Sequence, residues 1–242
     1  MHDYASELRY SACVALALLV GWFIRRKELA RLGYTKHPRH GVVGLGSLFG
    51  AVLGSKLGLI LFVPPASFFE AAFWWSFDGK TVIGALIGGY LGGELTKKLV
   101  GVRFSTGDGW AISLPVAQAI GRVGCFVSGC CYGTETGLPC AVWNHGAWRH
   151  PAPLYEAALL LVLALVLFLI RKAPRPAGHL FRYYFIGYAA LRFLVEFVRG
   201  DEHTQFLAIN VAQWACLLMA GWMLGLFAFE AASAQRTADR AG

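Results

Sequence analysis

Seven apolar runs punctuate the chain, at residues 8–24, 42–63, 81–95, 110–127, 154–170, 181–198 and 206–229. A helix needs about 20 apolar residues to cross the hydrocarbon core of a bilayer. Inside that core every backbone polar group must be bonded within the protein, so runs of this kind are read as helices. The third run is short and the sixth carries charges; the others are clear as spans. The chain is 57% apolar and 15% charged, more grease than a soluble domain of this length needs. The expected fold is therefore an all-α integral membrane protein, a bundle of about seven transmembrane helices. One membrane domain is expected over residues 1–230, followed by a loose polar tail at 231–242.

The net charge of +8 raises the question of nucleic acid, and its placement answers against it. When the segments between runs are assigned alternately to two sides, one side holds 15 of the 22 Lys and Arg, from Arg25, Arg26 and Lys27 through Lys97 and Lys98 to Arg171, Lys172 and Arg236. The other side holds Arg9, Lys80, Arg149 and Arg199. This asymmetry is the positive-inside pattern. It predicts the N-terminus outside and the C-terminus in the cytoplasm. The first run has its basic cluster after the apolar stretch and no small-residue cleavage site, so it is not read as a signal peptide. The aromatic group Phe73, Trp74, Trp75 and Phe77 reads as an interfacial belt or a short re-entrant helix.

Two runs carry glycine stripes: Gly46, Gly50, Gly54 and Gly58 in the second, and Gly84, Gly88 and Gly92 in the third. Spacing by four puts small residues on one helix face, where another backbone can approach. Lys56 lies beside the first stripe, and a charge at membrane depth needs a partner or a wet cavity. In the sixth run Tyr188, Arg192, Glu196 and Arg199 share one helical stripe. Two readings stay open. The stripe is either an internal Arg–Glu–Arg ladder or one wall of a binding site. Arg122, between Gly121 and Gly124 at the end of the fourth run, favours the second. With Lys56, Arg192 and Arg199 it outnumbers Glu196, and surplus buried cations need an outside anion. A phospholipid headgroup suits, because guanidinium binds phosphate bidentately and keeps its charge. The reading requires Arg122 and Arg192 to meet in one hollow without each being neutralised by its own carboxylate.

These residues sit in stretches that resemble the prolipoprotein diacylglyceryl transferases of the bacterial inner membrane. The family's Gly-Arg-x-Gly-Asn-Phe-x-Asn-Gly-Glu signature reads here as "GRVGCFVSGCCYG", residues 121–133. "HPAPLYE" (150–156) matches a His-Pro-x-x-Leu-Tyr-Glu stretch, and "YAALRFLVEFVR" (188–199) matches Tyr-x-x-x-Arg-x-x-x-Glu-Phe-x-Arg. "GSKLG" places Lys56 at a family arginine, and "DGKTVIGALIGG" is similar to the loop entering the family's third helix. The resemblance implies transfer of the diacylglyceryl group of phosphatidylglycerol to a cysteine thiol, in the lipobox of a prolipoprotein or on another acceptor. It implies no cofactor. Arg122, Arg192 and Tyr188 would then hold the phosphate, with Lys56, Gly121, Gly124, Glu196 and Arg199 around the lipid. The chain departs from the family at Cys125, Ser128, Cys130 and Pro153, and Ile83 or Gly84 stands near a missing histidine. A base for the thiol would have to come from Glu156, His145 or His150.

Cys13 and Cys216 read as small hydrophobes. Cys140 with Cys130 or Cys131 is the expected disulfide. A zinc site is not expected, because adjacent cysteines fit the usual ligand spacing poorly. A transporter is disfavoured by the lack of repeated halves, and a retinal protein by the lack of lysine in the last run. A lipid-binding relative without catalysis stays as the alternative.

Overall fold

The computed structural model describes residues 4–34, 39–58, 81–200, 205–206 and 209–239. The aromatic group 73–77, Lys80 and the end of the second run lie outside the described residues. Among those described, seven α-helices follow the seven runs in order: α1 Tyr4–Arg31, α2 Arg39–Leu57, α3 Val82–Val100, α4 Ser113–Val127, α5 Ala152–Ile170, α6 His179–Val195 and α7 Val211–Asp239. Two short antiparallel hairpins accompany them, β1 Val142–Asn144 with β2 Ala147–Arg149 and β3 Gln205–Phe206 with β4 Ile209–Asn210. The chain is thus all-α in its body. Among the described residues four helical segments are long and apolar enough to cross a membrane: Glu7–Arg31, Arg39–Leu57, Ala152–Ile170 and Val211–Ser233. Large apolar side chains such as Phe49, Leu169, Leu218 and Phe229 stand exposed on these segments, as a lipid-facing surface requires. Helix α7 continues through Asp239, so most of the stretch expected as a loose tail is helical.

Helices α2 and α3 pack through the two glycine stripes. A Cβ added at Gly50 would collide with the Gly88 carbonyl oxygen, one at Gly54 with that of Gly84, and one at Gly92 with that of Gly46. The backbones are in contact, which only glycine permits. Helix α4 lies against α1, with Gly21 beside Ala117 and Gly124 beside Cys13 and Tyr10. The buried core runs between α5, α6 and α7, through Leu160, Leu167, Tyr184, Phe185, Met219 and Met223. Tyr184 donates to Gln118 Oε1 at 2.8 Å, joining α6 to α4.

The helix ends sort into two groups. At one end Glu28 binds Arg31 at 2.7 Å and Arg171 at 2.6 Å, tying α1 to the end of α5. Arg39 donates to the Val100 carbonyl at 2.9 Å, joining the start of α2 to the end of α3. Asp108 accepts from the backbone of Gly178 and Phe181 at 2.7 and 3.1 Å. It caps α6 from another segment, satisfying amides that a helix start leaves open. This end carries Arg25, Arg26 and Lys27 of α1, Lys97 and Lys98 of α3 and Arg171 and Lys172 after α5. The opposite end holds the C-termini of α4 and α6, the start of α5 and both hairpins.

Candidate active site

Three elements meet at that opposite end. Arg122 projects from the last two turns of α4, and Glu156 from the first turns of α5. Pro153 near the start of α5 is tolerated because the first-turn amides need no helical partner. Arg122 Nη2 lies 2.9 Å from Glu156 Oε1, with side-chain exposures of 13% and 2%. The distance is that of an ion pair, yet Oε1 receives no aligned hydrogen bond. On α6, Arg192 donates to Glu196 Oε2. Arg199 Nε stands 3.7 Å from the same oxygen. Asn210 of β4 donates to Glu196 Oε1 at 2.9 Å. Helix α6 tightens into a 3-10 turn over Glu196–Val198, and the stripe predicted from spacing ends there.

The loop after α4 is stitched to the end of α6. Thr134 N donates to Val198 O at 2.9 Å, and Gly200 N to Tyr132 O at 3.0 Å. Gly133 N donates to His150 O at 3.0 Å, and a Cβ at Gly133 would stand 2.5 Å from that oxygen. These bonds hold Arg199 beside the cysteines that follow α4.

Tyr188 lies between the two ion-pair groups. It is fully buried, and the charges of Glu156, Arg122 and Arg192 all act on its hydroxyl. That hydroxyl has no hydrogen-bond partner among the described residues. A buried hydroxyl left open costs free energy, so it points to a ligand.

Several expectations change. The surplus of cations is smaller than four against one, because Glu156 is a second buried carboxylate. Arg122 pairs with Glu156 and Arg192 with Glu196, so each of the two has a carboxylate of its own, against what the phosphate-clamp reading required; Glu196 also lies near Arg199. Lys56 is buried at the end of α2, the helix that packs along α3, whereas the ion pairs run through α4, α5 and α6. Gly124 is used for packing on α1, not for approach of a ligand, whereas Gly121 faces open space. His145 Nε2 sits 3.2 Å from the Gly129 carbonyl oxygen.

The predicted disulfide is absent: among the described residues all cysteines are free thiols. Cys140 Sγ lies 3.0 Å from the Tyr155 hydroxyl, which lies 3.2 Å from His150 Nδ1. Spacing gave no sign of this Cys–Tyr–His chain, which crosses from the loop to the start of α5. Cys125, Cys130 and Cys131 cluster separately. Hydrogen bonds from Cys125 and Cys130 hold the Cys131 thiol well below the usual thiol range, and the charges of Arg199 and Arg122 add to this. The missing family histidine has no obvious substitute at the start of α3, where Gly84 is packed against Gly54.

Comparison with known proteins agrees with the shared motifs. The family model described as prolipoprotein diacylglyceryl transferase matches residues 7–229. A phosphatidylglycerol–prolipoprotein diacylglyceryl transferase of Bordetella avium is 37% identical over 203 residues, covering 78% of this chain and 76% of the relative. A protein of the same name from Aromatoleum aromaticum is 34% identical, covering 91% and 88%, and one from Clostridium tetani is 29% identical, covering 91% of each. With the arginine, tyrosine and glutamate stretches gathered at one end of the bundle, the chain belongs to the prolipoprotein diacylglyceryl transferase family.

Proposed function

We propose that this protein transfers the diacylglyceryl group of phosphatidylglycerol to the lipobox cysteine of a prolipoprotein. It would do so as a multi-pass enzyme of the bacterial inner membrane. All seven helices would cross the bilayer, with the N-terminus and the site on the outer side. The observation that carries the reading is the Tyr188 hydroxyl, buried between Arg122–Glu156 and Arg192–Glu196–Arg199 and without a hydrogen-bond partner among the described residues.

In this reading the lipid phosphate takes a share of Arg122 and Arg192, and Tyr188 donates to it. Guanidinium groups preorganised on the phosphate stabilise charge that grows on the leaving oxygen. As the phosphate engages Arg122, Glu156 Oε1 is released from its ion pair and faces the acceptor thiol. It then accepts the thiol proton. The sulfur attacks the glycerol carbon, a C–S bond forms, and the C–O bond to phosphate breaks. Glycerol phosphate leaves with the bonding pair.

The test is purified protein in phosphatidylglycerol vesicles with a lipobox peptide. A thioether product and one glycerol phosphate per turnover are expected. Bound lipid with no turnover would overturn the reading. The replacements at Cys125, Ser128, Cys130 and Pro153 favour a second reading, a divergent lipid-binding or lipid-modifying protein with another acceptor. Lipid consumed without the peptide would favour that one.

A further inference from the structure

The end of α4 holds three thiols aimed at one point. Cys125 lies on the helix, Cys130 and Cys131 in the turn that leaves it, and their sulfurs all lie within 4.8 Å of one another. Neighbouring residues in a regular element point apart, which is why the sequence spacing argued against a shared site. The turn changes this. Gly129 has φ +75° and Cys131 has φ +58°. The left-handed region costs a non-glycine residue about 1–2 kcal/mol, and such strain persists where the surroundings enforce it, often at functional sites. Gly129 N donates to Phe126 O and Cys130 N to Cys125 O, both at 3.1 Å, folding the turn back on the helix. Ser128 Oγ lies 3.3 Å from Cys130 Sγ and donates to Cys125 O at 3.0 Å. Cys130 is exposed and gives an entry path.

We propose that Cys125, Cys130 and Cys131 bind one Zn²⁺ ion as three thiolates, with the fourth position open to the acceptor thiol. Zn–S bonds of about 2.3 Å separate sulfurs by roughly 3.8–4.0 Å, so the cluster closes by less than about 1 Å. Thiolates select zinc and other soft ions. Three thiolates on Zn²⁺ leave one negative charge, and the charges of Arg122 and Arg199 reach the cluster. Three protein ligands and an open position are the pattern of catalytic zinc, whereas four closed ligands are structural. A thiol that coordinates zinc is deprotonated outright. Its proton passes to Glu156 or solvent. The zinc-bound sulfur then forms the C–S bond while the C–O bond to phosphate breaks. The site would supply what the absent histidine does not. The acceptor role rests on the diacylglyceryl transfer reading; the metal site does not.

The experiment uses the full chain in lipid nanodiscs, reduced and stripped of metal, then titrated with Co²⁺ as a spectroscopic substitute. One equivalent per chain with sulfur-to-cobalt charge-transfer bands, displaced by Zn²⁺, is expected. C125S, C130S and C131S should each weaken binding by more than about 100-fold, beyond the 10–100-fold typical of outer-shell changes. C13S, C140S and C216S should bind as the parent does. Zinc analysis of the unsubstituted chain, purified without chelator, guards against variants that fail to fold. No bands and no retained zinc would overturn the site, as would bands that survive all three substitutions together. A cysteine lipobox peptide should shift the cobalt bands where its serine analogue does not. Bound metal without that shift overturns the acceptor role alone. Transfer activity in a chain that binds no metal sinks the zinc site and leaves the transferase reading standing.

Discussion

Tyr188→Phe removes one oxygen atom and separates a structural role from a ligand-binding one. The hydroxyl is buried, with no hydrogen-bond partner among the described residues. An orphaned buried polar group costs about 1–3 kcal/mol. Removing it should therefore leave the resting protein as stable as before or about 1 kcal/mol more stable. The ring stays, and with it the packing of Tyr188 on Tyr184, whose centroid lies 6.2 Å away. If the hydroxyl donates to the lipid phosphate, its loss removes a hydrogen bond to a charged group, about 1.5–3 kcal/mol. At 1.36 kcal/mol per factor of ten, kcat/KM falls about 10- to 150-fold. The assay is release of glycerol phosphate from phosphatidylglycerol vesicles, run beside thermal unfolding of the same preparation. Unchanged kcat/KM would refute the reasoning. So would a variant that loses more than about 1 kcal/mol of stability, because the hydroxyl would then have a structural partner.

Arg122→Ala leaves Glu156, 2% exposed, without its counter-charge. Breaking a buried pair costs about 3–5 kcal/mol, visible in thermal unfolding. Adding Glu156→Ala should recover much of the stability and none of the turnover. Gly88→Leu drives a side chain into the Gly50 backbone and should cost more than the roughly 1–3 kcal/mol of ordinary overpacking, read as loss of folded protein in detergent. Cys140→Ser breaks no disulfide. Its stability should stay within about 1 kcal/mol of the parent, and gel mobility of the parent should not depend on reductant.

Local periodicity carried much of this fold into the sequence. Among the described residues each apolar run coincides with one helix, the element that bonds its own backbone within the segment. The stripes at Gly50, Gly54, Gly84 and Gly88 announced a close helix pair, and the 4, 4 and 3 spacing of Tyr188, Arg192, Glu196 and Arg199 put them on one side of α6. Those are relations within a turn or two, where the chain itself sets the geometry. The fourth run was legible as apolar but not as a 15-residue helix preceded by a 3-10 turn.

What only the tertiary structure decided are the partners across elements. Glu156 neutralising Arg122, Asn210 on Glu196, Gly124 spent on α1, and Cys140 beside Tyr155 instead of another cysteine all depend on how helices dock, and no spacing rule encodes docking. The three-thiol cluster shows the limit most clearly. Adjacent cysteines diverge in any regular element, and they converge here because one residue, Cys131, adopts a backbone conformation that sequence propensity argues against and the folded surroundings impose.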